Sequence, residues 1–387
     1  MNDGGTAMTT QRLARIAFAV GAAGLVLCLV GALVDSRQFF RSYLFAYVFW
    51  FTIPLGSLAI LMLHHLVGGA WGWVIRRLLE AAATTLPLIA LLFVPLLFGL
   101  REVYPWAQAQ PAGADEVMLH KLSYLNAPFF TVRSAFYLAL WGVLGHLLSR
   151  WSSEQDRSSP TAERRMRRLS GPGLVLYVLS MSFASVDWIM SIEPHWFSTI
   201  YGVLWIVNQG VAALAFAILA LGFLEAREPF FGRLRPDHFH DLGNLLLAFV
   251  MLWAYMAFSQ YLIIWSGNLA EEIPWYLRRT EGRWQWVPAV LILFHFFVPF
   301  VLLLMRDIKR KSKALFWIAA WILSMRLVDT FWLIVPGFDD AAPHWMDLAL
   351  IAGIGGIWLG AFLRRLEKSP LLPSAAPLEA EESLSHA

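Results

Sequence analysis

Ile16–Val34 reads IAFAVGAAGLVLCLVGALV, a run with no charge and no proline. At about 1.5 Å per helical residue it reaches about 28 Å, close to the roughly 30 Å of hydrocarbon in a bilayer. Arg12 and Arg15 precede it, as in a signal sequence. The run is longer than a signal core and no A-x-A site follows it, so it predicts an uncleaved anchor helix. Nine further segments are long and apolar enough to cross as well, and with the first they cover about 13–34, 43–63, 81–100, 129–148, 174–192, 200–224, 242–265, 286–305, 314–335 and 346–363.

The composition agrees. Of 387 residues 58% are hydrophobic and 15% charged, with a mean hydropathy of +0.59. A soluble core of this length could not hide so much apolar surface, so the expected class is an all-α polytopic membrane protein with ten transmembrane helices. The 19 Trp and 28 Phe suit that class, since aromatic rings favour the membrane interface. A net charge of +3 spread along the chain does not point to nucleic acid. The lone Cys28 excludes a disulfide within the chain and any iron–sulfur cluster held by this chain's thiolates alone. Residues 1–12 read as a cytoplasmic tail, 13–368 as the membrane domain, and 369–387, rich in Pro, Ala and Glu, as a disordered cytoplasmic tail.

Orientation follows from the Lys/Arg bias. With the N-terminus inside, 21 of the 30 Lys and Arg fall on the inner face and 7 on the outer, leaving Arg133 and Arg326 within the membrane. Both termini are then cytoplasmic. The stretch SVDWIMSIEPHWFSTIYG (Ser185–Gly202) falls at the outer ends of the fifth and sixth helices, with a tight turn at Glu193–Pro194–His195.

Charged groups at membrane depth cost roughly 2.5–3.5 kcal/mol each on insertion scales, so they usually face a bundle interior and serve a function. Arg133, Asp187, Arg326 and Asp329 are such groups, and His295 is a fifth ionisable residue, in VLILFHFFVPF. Ser180, Asp187 and Ser191 form a polar stripe at helical period. Asn244, Tyr255 and Ser259 form another on the seventh helix, and the two stripes are expected to meet inside. Together with His295, Arg326 and Asp329 they could supply a hydrogen-bonded route for protons, with Glu193 and His195 opening it to outer water. Against this, Arg326 and Asp329 at i and i+3 can simply neutralise each other. His295 can be a structural histidine, and Glu193 and His195 a polar turn. No facing pair of histidines suits a haem, because His64 and His65 are adjacent and His146 lies at a helix end. Gly68–Gly69 break the second helix before a basic amphipathic segment bearing Trp71 and Trp73, read as a tight helical hairpin. AERRMRRLS (162–170) reads as a loop anchored on anionic lipid.

HHLVGGAWG (64–72) together with SVDWIMSIEPHWFSTIYG resembles the F subunit of bacterial alternative complex III, a quinol:cytochrome c or quinol:oxidase oxidoreductase. That subunit is one of the NrfD-like, polysulfide reductase membrane subunit family. The resemblance implies two four-helix bundles, helices 2–5 and 6–9, plus two peripheral helices. It implies a bacterial inner-membrane location and no cofactor held by this chain, with haem c and iron–sulfur clusters on partner subunits. Those partners are a sister NrfD-like C subunit, periplasmic iron–sulfur and multihaem cytochrome c subunits, and in some cases a terminal oxidase. Asp187 matches an Asp that contacts quinol in the C subunit, which makes Asp187 and His195 quinone-contact candidates. The histidine departs from the C-subunit pattern, because His195 precedes Trp196. The expectation is therefore a subunit that is not catalytic alone and provides proton transfer through Asp187, His295, Arg326, Asp329, Glu193 and His195. A secondary transporter with a buried Asp/Arg site, or a purely structural scaffold, are the competing readings.

Overall fold

The computed structural model describes residues 3–108, 116–156, 161–225, 230, 233–339, 342–368 and 370–372. Among the described residues there is no strand. Among the described residues ten helices are long and apolar enough to cross a membrane: α1 (Thr10–Val34), α2 (Ser36–Val67), α3 (Ala70–Phe98), α4 (Ala127–Asp156), α5 (Ala162–Ile192), α6 (Tyr201–Leu224), α7 (Pro236–Gly267), α8 (Gly282–Leu304), α9 (Ser312–Gly337) and α10 (Trp345–Leu366). The all-helical, ten-span expectation is met.

The centre is α2 and α6. Along their apolar stretches 89% and 72% of residues are buried, against 22% for α1, α7 and α8, so these two are wrapped by the rest of the chain and the other three lie on its outside. α6 packs on α2, α5, α7 and α9, and α1 lies along α10. Close backbone approach makes the central pair: a Cβ at Gly56 would stand 2.1 Å from the Gln209 carbonyl oxygen. In lipid, tight contact of this kind replaces the hydrophobic drive that joins helices in water.

Helix ends differ from the sequence expectation in a consistent way, because basic and amphipathic ends continue the helices. The first helix already begins at Asp3, inside the stretch expected as a tail. AERRMRRLS is not a loop but the first turns of α5. Gly68 and Gly69 do break the chain, with φ of +76° and +100°, and a helix resumes at Ala70. Arg76 and Arg77, expected on the inner loop, are buried in α3. The link from α5 to α6 is longer than a tight turn: a 3-10 turn, Met190–Ile192, precedes Glu193, and the next helix starts at Tyr201. The tail from 373 onward lies outside the described residues.

The stripe on α7 is the clearest correction. Tyr255 is exposed and Asn244 reaches out to Lys309 Nζ at 2.5 Å, so this face does not meet the Asp187 stripe. At about 100° per residue, Trp253 and Gln260 lie on nearly the opposite side of the helix from Asn244, and they are the buried ones.

Candidate functional site

Two carboxylates inside the membrane occupy matching places in the chain. Val186-Asp187 and Val328-Asp329 are each followed by a proline seven residues past the carboxylate, Pro194 and Pro336. Both helices tighten into a 3-10 turn near that end, at Met190–Ile192 and Val335–Gly337. The repeat of Val-Asp and a later proline is a pattern of sequence, and it singles out the same two residues as their depth in the membrane does. Their surroundings differ.

Asp187 on α5 is fully buried and held by α4. Arg133 Nε donates to Oδ2 at 2.9 Å and Nη2 to Oδ1 at 2.8 Å, the parallel fork that suits a guanidinium to a carboxylate. Tyr137 Oη donates to Oδ2 at 3.0 Å. The Arg133 guanidinium lies 3.8 Å from the centre of the Tyr124 ring and 4.2 Å from that of Phe129. Burial, and after it the Asp187 carboxylate, pushes the Tyr124 phenol up to about 12, so it stays a neutral ring under the cation. The expected stripe is real here: Ser180, Asp187 and Ser191 are all buried, and Ser191 Oγ donates to the Asp187 carbonyl at 2.5 Å. Trp141 Nε1 reaches Ser180 at 2.9 Å, and Trp188 Nε1 reaches Ser134 at 2.8 Å.

Asp329 on α9 pairs with Arg326 one turn away and accepts from Trp253 Nε1 of α7 at 3.3 Å. The Trp253 ring stands edge-on to His295, centroids 4.2 Å apart. His295 lies on a π-helical turn, Leu291–Phe297, an irregularity often found at functional sites. It hydrogen-bonds to neither carboxylate, since both ring nitrogens are buried without a partner. Asp329 also lines a cavity of about 660 Å³ between α7, α8, α9 and the short helix Ile273–Thr280. Its wall is mostly apolar and includes Trp253, Tyr261, Tyr276 and Trp332, with Gln260 as a second polar group. Phe258, Ile292 and Phe297 line it and are exposed, so the cavity opens on the apolar flank of α7 and α8.

Glu193 and His195 part company. Glu193 turns inward onto Arg279 Nη2 at 2.6 Å, and Arg278 lies at 3.4 Å. Arg279, one of the seven outer-face charges counted from the sequence, is buried. Its guanidinium stands 3.8 Å from the centre of the Trp275 ring, and it donates to the Leu333 carbonyl at 3.1 Å. Trp196 stacks on Trp275 at 4.7 Å. The ends of α5 and α9 are thereby tied through the Ile273–Thr280 helix. His195 is exposed.

A further buried charge cluster was missed in the sequence. Glu80 accepts from Arg76 Nε at 2.9 Å, Arg77 Nη1 at 2.6 Å and Ser152 Oγ at 2.5 Å, and Arg77 also pairs with Asp156. Its signal was the i, i+3 and i+4 spacing of Glu80 from two arginines. Among the described residues no hydrogen bond joins the Asp187, Asp329 and Glu80 clusters to one another.

No protein-family profile matches the chain, and no curated protein is significantly similar to it in sequence.

Proposed function

We propose that this chain is an F-type, NrfD-like membrane subunit of a respiratory quinol oxidoreductase resembling alternative complex III, and that it supplies proton transfer beside a quinol-oxidising sister subunit. The observation that carries the reading is Asp329: a carboxylate buried at membrane depth, beside His295 and Trp253, on the wall of a cavity open to lipid. Quinol oxidation releases protons together with electrons. The electrons pass to iron–sulfur and multihaem cytochrome c subunits at the periplasmic face, and a terminal oxidase can be the acceptor. The protons need groups that accept and pass them within the membrane. The 21-to-7 charge bias supports placing both termini in the cytoplasm of a bacterial inner membrane.

Where a quinol contacts this chain as well as its sister subunit, the Asp329 cavity suits it better than the Asp187 site. The Asp187 carboxylate is enclosed by Arg133 and Tyr137, whereas the cavity has aromatic walls and an acceptor, Gln260 Oε1, that no protein donor satisfies. Gln260 would accept from a ring hydroxyl, and the lateral opening would leave the tail in lipid. Asp187 keeps a proton-transfer or clamping role.

Purification from native membranes in mild detergent tests the assignment. Co-purification of a second NrfD-like chain with cytochrome c and iron–sulfur subunits is the expected result. A chain that purifies alone and carries solute flux in liposomes replaces this reading with a secondary transporter built on the same Asp/Arg site.

A further inference from the structure

The two carboxylates look alike in sequence, yet the polar groups around them are satisfied to different degrees. At Asp187 the groups that touch the carboxylate, Arg133 and Tyr137, are bonded to it, and Trp141 and Trp188 each have a hydroxyl partner, while the hydroxyls of Tyr124 under Arg133 and of Tyr47 against Trp188 have none. Around Asp329 four buried side-chain atoms have no protein partner, both ring nitrogens of His295, Nε of Arg326 and Oε1 of Gln260, and on the neighbouring α6 neither Oδ1 nor Nδ2 of Asn208 has one. All four residues are at most 2% exposed.

The first four lie in one region, and Asn208 lies at the same depth on a helix packed against it. Arg326 pairs with Asp329, His295 faces the tryptophan that bonds it, and Gln260 shares its cavity wall. Asn208 is seven residues from the Tyr201 end of α6, and Arg326 is eight from Ile334 on α9. At 1.5 Å per residue both sit about 10–12 Å in from the same face, and α6 packs on α9. An unpaired buried amide or imidazole is costly, and native proteins avoid it by pairing with ordered water. A buried water makes about three hydrogen bonds, and it needs several polar atoms that converge.

We propose that a cluster of internal water is bound among Asn208, His295, Arg326 and Asp329, extending toward Gln260, so that Asp329 is the more hydrated carboxylate of the pair and Asp187, held by Arg133 and Tyr137, the less hydrated one. The orphaned atoms supply both halves of the bonding: the Asn208 amide, the Arg326 N–H and one imidazole nitrogen donate, while Asn208 Oδ1, Gln260 Oε1 and the other imidazole nitrogen accept. Hydration gives His295 and Asp329 the contact that protein atoms do not. The hydration itself needs no redox partner. Only its use in proton transfer rests on the function proposed above.

Radiolytic hydroxyl-radical labelling of the protein in nanodiscs tests it, because radicals formed from bound water oxidise the side chains beside that water even when bulk solvent is excluded. Trp253 and Trp141 are matched probes, 5% and 1% exposed and both within the membrane. Trp253 and His295 should oxidise several-fold faster than Trp141 and Tyr137, and Asn208→Leu should bring Trp253 down toward the Trp141 rate. Equal protection of Trp253 and Trp141 in the unmodified protein overturns the proposal, whether or not Asn208→Leu folds. Unchanged labelling in a folded Asn208→Leu protein overturns it as well. Both results are independent of which subunits co-purify, so the hydration and the respiratory assignment can fail separately.

Discussion

Arg133 on α4 holds Asp187 on α5 through two parallel hydrogen bonds, across 54 residues of sequence and with the carboxylate wholly shielded from solvent. A pair of this geometry locks two helices, and removing one partner strands the other's charge. Asp187→Asn should therefore destabilise the protein by roughly 3–5 kcal/mol and lower its yield in membranes. Replacing both partners together, as Arg133→Met with Asp187→Leu, should cost less than either single change. Thermal unfolding of the four proteins in detergent measures this, and a double variant worse than both singles would sink the clamp.

The two polar residues of the α5–α6 connection should behave oppositely. Glu193→Gln leaves the buried Arg279 without its carboxylate and should lower stability by roughly 3 kcal/mol, loosening the junction of α5, α9 and the Ile273–Thr280 helix. His195→Gln lies on the exposed side and should change stability by less than about 0.5 kcal/mol. Equal unfolding temperatures for the two variants would mean that the Glu193–Arg279 pair holds nothing.

Much of this architecture was legible in the sequence, and the reasons are physical. Hydrocarbon thickness fixes the length of an apolar run, so all ten spans could be counted. It does not fix where an amphipathic end stops, and the AERRMRRLS run proved helical while Arg76 and Arg77 proved buried. Arg133 and Asp187 could each be singled out as charges inside apolar segments. Their pairing could not be read, because it depends on how α4 lies on α5. On α7 the polar stripe faces outward, and the buried face belongs to Trp253 and Gln260. A tryptophan and a glutamine seven residues apart were equally visible, but Asn244, Tyr255 and Ser259 made the more polar row. Arg326 and Asp329 were seen as neighbours. The cavity beside them is made by α7, α8, α9 and the Ile273–Thr280 helix at once and has no signal in any one of them.

Topology can be read from His195. Because the residue is exposed at the end of the bundle away from both termini, His195→Cys in a Cys28→Ala background should react with a membrane-impermeant maleimide added to intact cells. The 21-to-7 bias sets the direction. Labelling confined to inverted vesicles would reverse the orientation and put the termini outside.

Asp329→Asn separates the clamp from the relay. If the Arg326–Asp329 pair were only a neutralised brace, the amide would leave Arg326 charged in the membrane and assembly would fail, at a cost of roughly 3–5 kcal/mol. Arg326 has another neighbour, Thr330 Oγ1 at 3.4 Å, and lies in the region proposed to hold water, so its charge need not be stranded. Asparagine also resembles the protonated carboxylic acid in size and can keep the bond from Trp253. The expected outcome is normal complex abundance, quinol oxidation that partly survives, and fewer protons released per electron in liposomes. Complex yield and proton-to-electron ratio, measured on the same preparation, decide between the two. Loss of the complex supports the brace, and normal yield with an unchanged ratio and turnover removes Asp329 from the proton path altogether.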